Sequence, residues 1–90
     1  MKKAFITVIG KDAVGVIARI ASQCSEMNIN IEDVTQSIIQ GMFCMIMLVD
    51  VSKCNVSPQD MHDSFEALGE KMGMQINLTR QEVFDAMHKI

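Results

Sequence analysis

The hydrophobic positions of this chain change period several times, between the alternation of a strand and the wider spacing of a helix. Residues 3–9 are apolar and β-branched and end at a glycine, which predicts a first strand. Asp12 is then placed to cap a helix that ends near Asn28. The apolar face of this helix should consist of Val14, Ile17, Ile20, Ala21, Cys24 and Met27.

The second half of the chain repeats the pattern. Strands are predicted at 30–39 and 42–51, joined by a hairpin turn centred on Gln40 and Gly41. Ser57 has the features of a helix N-cap, because a proline follows it and an acid lies three residues on. Gly73 should end that helix, and the alternation over 74–79 predicts a fourth strand.

The predicted order is therefore βαββαβ with a short C-terminal helix, an α+β chain in which two βαβ halves form a ferredoxin-like sandwich. We expect a single domain over 1–90, with a core at 1–80 and the terminal helix at 81–90. The first and third strands are apolar on both faces, whereas the second and fourth carry polar residues. Central strands tolerate two buried faces, so the antiparallel sheet should have the order 4-1-3-2.

The third strand is too apolar for one of its faces to remain in water. Helices cover only one face of the sheet, and exposing an apolar stripe costs about 25 cal/mol per Å2 against a total stability of ~5–15 kcal/mol. We expect a second copy of the chain, the terminal helix or both to cover the other face, and hence a homodimer. Two sets of residues are candidates for that face: Met42, Cys44, Ile46 and Leu48, or Phe43, Met45, Met47, Val49 and Val51.

Composition narrows the class of partner. The net charge of −3 disfavours nucleic acid and anionic membrane surfaces. Three cysteines without a CxxC pair argue against a disulfide framework or a metal site and favour a reducing compartment, so we expect a cytoplasmic protein. No segment is long and apolar enough for a membrane span, and the short apolar start stops too early for a secretory signal.

The most informative segments are GKDAVGVIARI at 10–20 and MNINI at 27–31. They closely resemble the signature of ACT domains, in which a first strand enters a polar loop, a glycine opens a helix, and an Asn-Ile pair begins the second strand. The resemblance covers essentially the whole chain and is strong with the small stand-alone ACT proteins of bacteria and archaea. The chain is also similar to the ACT modules of glycine-cleavage repressors and formyltetrahydrofolate deformylases.

This resemblance implies a non-catalytic regulatory domain that binds an amino acid or a similar small metabolite at a dimer interface, without a cofactor, metal or catalytic residue. The ligand would lie between the first loop of one subunit and the second strand of its partner. Free N–H groups at a helix N-terminus favour a carboxylate, and an asparagine can both donate and accept hydrogen bonds. Asp12 is placed to receive the ligand ammonium. The implied binding residues are Gly10, Lys11, Asp12, Ala13, Val14, Gly15, Asn30 and Ile31.

Departures from the family pattern leave alternatives open. Val14 stands where many members have proline, Gly10 where serine-sensing members have a polar side chain, and Asp12 where they have a neutral amide. In the structural alternative, Asp12 only caps the helix and Gly15 only allows close packing. A functional alternative is a module that dimerises and docks onto an enzyme or regulator without a metabolite. The chain also loosely resembles the acylphosphatase loop, through Gly10, Gly15, Val16 and Arg19. This similarity is weaker, because Asp12 lies inside the loop that would hold the anion and the expected catalytic asparagine falls near Ser37.

Overall fold

The computed structural model describes residues 2–11 and 14–87, apart from the side chains of residues 84 and 87. Its antiparallel sheet has the order β2-β3-β1-β4, which confirms the predicted topology. Residues 88–90 of the expected terminal helix lie outside the described residues. The elements are β1 (Lys3–Gly10), α1 (Val16–Glu26), β2 (Asn30–Ile39), β3 (Met42–Asp50), α2 (Pro58–Met72), β4 (Gln75–Arg80) and α3 (Gln81–Met87).

The hydrophobic core lies between one face of the sheet and the two longer helices. Alternate residues of β1 and β3 point into it, as the period of a strand requires. The Phe43 set of β3 is therefore the buried one, and the Met42 set faces the open side of the sheet. The largest fully buried side chains are Phe65, Ile6, Ile20, Met45, Met47, Val8, Val16, Val49 and Cys24.

Helix α1 begins later than predicted. Gly15, in the left-handed conformation at φ 73°, is its N-cap, and no side chain caps it in the described chain. A left-handed residue cannot continue a right-handed helix, so Val14 lies in the preceding turn and is 86% exposed. The buried face is consequently Val16, Ile20 and Cys24, and Ile17 is partly exposed. The prediction that Val14 and Ile17 belong to the buried face was wrong.

Both long helices end in the same hydrogen-bonded motif. A left-handed residue, Asn28 after α1 and Gly73 after α2, follows each helix. The next residue donates its N–H to the helix five positions back, Ile29 to Cys24 at 2.8 Å and Met74 to Gly69 at 2.8 Å. This Schellman arrangement satisfies the last free carbonyl groups of each helix. It confirms the two predicted helix ends.

The predicted turn and cap of the second half are also confirmed. Gln40 and Gly41 have φ angles of 50° and 80°, the positive values that a tight two-residue hairpin turn requires. The Ser57 hydroxyl accepts from the N–H of Asp60 at 3.1 Å and caps α2. Within the described residues, no helix is long and apolar enough to cross a membrane.

The buried thiol of Cys24 should make the fold sensitive to alkali. Burial, with a smaller contribution from nearby Cys54, raises the pKa of the Cys24 thiol from 9.0 to about 11. The unfolded thiol loses its proton first as the pH rises, so the native state loses stability between about pH 9 and 11. Two units correspond to about 2–3 kcal/mol. Urea unfolding across this pH range should show the decline in the free energy of unfolding. Cys24→Ala should remove the decline, and the variant should remain folded at neutral pH.

Candidate functional site

The loop after β1 forms the first half of the predicted site. Gly10 ends β1 and is buried, and a Cβ atom there would lie 2.5 Å from the Met74 Cε. Lys11 is exposed, whereas Asp12 and Ala13 lie outside the described residues. A Cβ on Gly15 would meet no atom of the described residues within 4 Å. Gly15 is therefore needed for its positive φ and not for close packing, which corrects that alternative.

The first turn of α1 presents backbone N–H donors to which no carbonyl of the helix is available, beside this loop. The Arg19 N–H is the first to bond within the helix, to the Gly15 carbonyl at 3.0 Å. The three preceding N–H groups, at residues 16–18, have no acceptor inside the helix, as at any helix start. These donors and the positive end of the helix dipole favour a negatively charged group. The loop half is thus suited to a ligand carboxylate.

The start of β2 forms the second half. A β-bulge lies between Ile31 and Asp33, so that Asn30 pairs with Asp50 and Ile31 with Val49. This register puts Ile31 on the helix-covered face, where it packs against the core. Asn30 is exposed, and its side chain is free to reach a ligand.

Polar residues that the sequence analysis did not single out surround Asn30. A groove of about 600 Å3 runs between the end of α1, the start of β2 and the loop after β3. The Asn28 amide donates to the Lys53 carbonyl at 3.0 Å, and the Asn55 amide donates to the Glu26 carbonyl at 3.0 Å. These two bonds fix the loop against the helix end. The residues of this groove absent from the predicted site include Ser25, Asn28, Asp50, Ser52 and Lys53.

Asp50 gives this groove a stable negative charge. Its Oδ1 accepts from the Ser52 hydroxyl at 2.6 Å and from the Ser52 N–H at 2.9 Å. These two bonds lower the pKa of the Asp50 carboxyl below its ordinary value of 3.8, the hydroxyl bond contributing most. The negative end of the α1 dipole lies at the same groove. The strand half is thus suited to a cationic group such as a ligand ammonium.

The two halves lie at opposite ends of one sheet. Gly10 pairs with Phe43 at the end where β3 begins, whereas Asn30 pairs with Asp50 where β3 ends. The eight residues of β1 span about 23 Å at a rise of ~3.3 Å per residue. A small metabolite cannot contact both halves in one chain. Among the described residues, the structure places Asn30 and Ile31 at one end of the sheet and Gly10, Lys11, Val14 and Gly15 at the other.

The edge strand β2 presents an apolar surface. All its residues except Ile31 are exposed. Val34 and Ile38 pair with the buried residues Met47 and Phe43 and so lie on the helix-covered face, yet they are 39% and 72% exposed. The helices do not extend far enough to cover them. This edge is distinct from the open face of the sheet, where Ile9, Ile39 and Ile46 are 42%, 59% and 42% exposed.

Metal-ligating side chains form no cluster in the described part of the chain. No group of three or more His, Cys, Asp and Glu residues could hold a metal ion there. His62 lies on the surface of α2, 3.7 Å from the Glu66 carboxylate. Cys44 faces the open side of the sheet, half-buried, and is not the core residue that its apolar neighbours suggest.

Comparisons with known proteins identify the family. The ACT domain model matches residues 3–79. The UPF0237 protein of Bifidobacterium longum is 42% identical over 90 residues, which cover 100% of both chains. An ACT domain protein from Streptococcus pneumoniae superimposes with a TM-score of 0.82 at 31% identity, covering 92% of this chain and 93% of that one.

A larger protein contains the same fold. A formyltetrahydrofolate deformylase from Pseudomonas syringae pv. tomato matches with a TM-score of 0.78 at 17% identity, over 89% of this chain and 28% of that one. At this identity the likeness concerns the fold alone. Together with the sheet order and the loop geometry, the matches over the whole chain show that this protein belongs to the ACT domain family.

Proposed function

We propose that this protein is a non-catalytic regulatory module that binds an amino acid at a site shared by two copies of the chain. The observation that carries the proposal is the separation of two halves with complementary electrostatics. The start of α1 favours a carboxylate, and the groove beside Asp50 favours an ammonium group. In a dimer, the loop half of one copy and the strand half of the other would together form one complete site.

Pairing of two β2 edges would bring the halves together. Two identical strands that pair antiparallel about a twofold axis place the start of one beside the end of the other. The end of β2 lies at the same end of the sheet as Gly10, because Ile38 and Gly10 both pair with Phe43. The partner's groove would therefore approach the loop at residues 10–15. This pairing would also bury Val34 and Ile38, which a single chain leaves exposed.

The charges of the two halves then indicate where the carboxylate and the ammonium of the ligand would lie. The α-carboxylate would lie at the first turn of α1, and Gly15 lets it approach the backbone without a side chain in the way. The α-ammonium would lie at Asp50 of the second copy, with Asn30 beside it. This arrangement places Asp50, and not only Asp12, among the residues that receive the ammonium. Lys53, at the rim of the same groove, would contact a polar side chain of the ligand.

A thermal-shift screen with the twenty common amino acids tests the proposal. We expect at least one to raise the Tm, since a ligand at ~100 times its dissociation constant adds about 2.7 kcal/mol to stability. Asn30→Ala and Asp50→Asn should remove the shift. Asn77→Ala, an exposed strand asparagine outside the site, is the matched control and should retain it. No shift with any amino acid would reject amino-acid sensing and favour either the docking module or a different metabolite.

Gly15 provides a second test, because its role in the backbone turn can be separated from its role in leaving space for the ligand carboxylate. Asparagine tolerates a positive φ, and its Cβ would meet no described atom within 4 Å. We expect Gly15→Asn to change stability by less than about 1 kcal/mol while its side chain blocks the ligand carboxylate. Gly15→Val, with a β-branched side chain at φ 73°, should cost more than about 1 kcal/mol. Urea unfolding and the thermal shift measured together distinguish loss of fold from loss of binding.

A further inference from the structure

A second groove lies between α1 and α2, away from the proposed amino-acid site. Its volume is about 500 Å3, and it shares no lining residue with the groove beside Asp50. Leu68, a core residue, and Ala67 of α2 are its apolar lining, and charged, amide and hydroxyl side chains of both helices line the rest. The groove is thus mostly polar, a lining that suits a small charged ligand better than an apolar one.

The amide of Gln23 is the unusual feature of this groove. Its Nε2 is fully buried and has no hydrogen-bond partner within the described part of the chain. Buried amide donors in folded proteins are nearly always paired, because an unpaired one loses its bonds to water without replacement. A leucine or methionine would fill the same helical position without this cost. The retained amide points to an acceptor that is not part of the chain.

The charged residues of the groove indicate what that acceptor is. Arg19 and Lys71 lie on facing helices, and neither forms an ion pair with a described residue. Glu26 lies on the same side of α1 as Gln23. Two positive charges and one negative charge leave a net charge of +1, which complements a monoanion better than a doubly charged phosphate. A guanidinium also matches the planar geometry of a carboxylate.

We propose that the groove between α1 and α2 binds a small hydroxy-monocarboxylate. The carboxylate lies between the Arg19 guanidinium and the Lys71 ammonium, and the half-buried Gln23 side chain turns its amide into the groove to donate to it. The hydroxyl group donates to the Glu26 carboxylate or to the serine hydroxyls, Ser22 and Ser64, on the two walls. This site is present in each single chain, so it depends neither on the pairing of two copies nor on the proposed amino-acid site.

Nuclear magnetic resonance of the 15N-labelled full chain tests this site directly. The side-chain amide signals of Gln23 are assigned by their absence in Gln23→Leu. We expect them to shift in a saturable manner with L-lactate and D-glycerate, and to respond at least about tenfold more weakly to inorganic phosphate. Arg19→Gln and Lys71→Gln should each weaken the response about tenfold. Lys2→Gln, an exposed lysine outside both grooves, is the control and should retain it.

The stability of Gln23→Leu provides an independent readout. Removal of an unpaired buried donor should raise the Tm by a few degrees in the absence of any acid, while the response to lactate is lost. Gln23 signals that stay unmoved by both acids would overturn the proposal. So would a long-lived water detected at the Gln23 amide, together with an unchanged or lower Tm for Gln23→Leu, because the water would then be the acceptor.

Discussion

Gly69→Ala should destabilise the protein by about 2 kcal/mol, although the same exchange within a helix ordinarily stabilises by ~1 kcal/mol. Gly69 is buried in α2, and a Cβ atom there would lie 2.7 Å from the carbonyl oxygen of Met74 and 3.3 Å from the N–H nitrogen of Ile76. Both are backbone atoms at the start of β4, so they cannot move aside as a flexible side chain would. Urea unfolding at neutral pH measures the change.

A control on the same helix separates packing from helix propensity. Ser64→Ala, five residues before Gly69 at a half-buried position of α2, should be neutral or stabilise by up to about 0.5 kcal/mol. The contrast in sign between the two alanines is the result that matters. A stabilised Gly69→Ala protein would mean that α2 lies farther from β4 than the structure places it.

Ile38→Lys should raise the dissociation constant of the dimer at least about 100-fold. Ile38 is 72% exposed on the β2 edge, so in one chain its replacement should change stability by less than about 0.5 kcal/mol. In the edge-paired dimer, the twofold axis puts the substitution on both sides of the interface. Each copy then loses the apolar burial of Ile38 and places a charge at the interface. Lysine on an edge strand opposes strand pairing for the same reason. Sedimentation equilibrium over a concentration series measures the shift.

The same exchange on the open sheet face is the matched control. Ile46 lies at the centre of that face, opposite Thr7 and Thr35, and is 42% exposed. Ile46→Lys should leave the edge-paired dimer intact. If Ile46→Lys dissociates the dimer and Ile38→Lys does not, the interface is the open face of the sheet, and pairing of the β2 edges is excluded.

The fold was predictable because each element carries a local signal. The periods of two and of about four residues, the Ser57 cap and the turn at Gln40 and Gly41 each act within a few residues, and all are present in the structure. The order of the strands followed from which of them are apolar on both faces. Local propensity and tertiary packing agree along most of this chain, which is why pattern alone gives the topology.

The site was predictable only in part, because a single bulge changes its register. A two-residue turn at 40–41 pairs Ile39 with Met42, and counting back along both strands would pair Ile31 with Asp50 on the open face. The bulge before Asp33 instead pairs Ile31 with Val49 and Asn30 with Asp50. One residue of slip moves a side chain to the other face. No local sequence pattern indicates the bulge, so the contribution of Asp50 to the groove could not be predicted.

The start of α1 is a second place where the spacing of apolar residues does not determine the structure. Val14 fits the helical spacing of apolar residues, but the positive φ of Gly15 prevents the helix from including it. A glycine between two valines is compatible with a helix interior and with a helix start, and spacing alone does not distinguish them. The glycine decides the geometry of the loop half, because it sets which N–H groups are free.

Complementation between two inactive variants tests the shared site most directly. Gly15→Asn removes the loop half and Asn30→Ala the strand half, so neither homodimer should bind the amino acid that gives the largest thermal shift. When the two variants are unfolded, mixed in equal amounts and refolded together, half of the dimers are mixed, and each mixed dimer has one intact site of two. Calorimetric titration should therefore recover about a quarter of the wild-type binding sites at wild-type affinity. Recovery of no sites, with mixed dimers demonstrated by mass, would contradict a site formed from two chains.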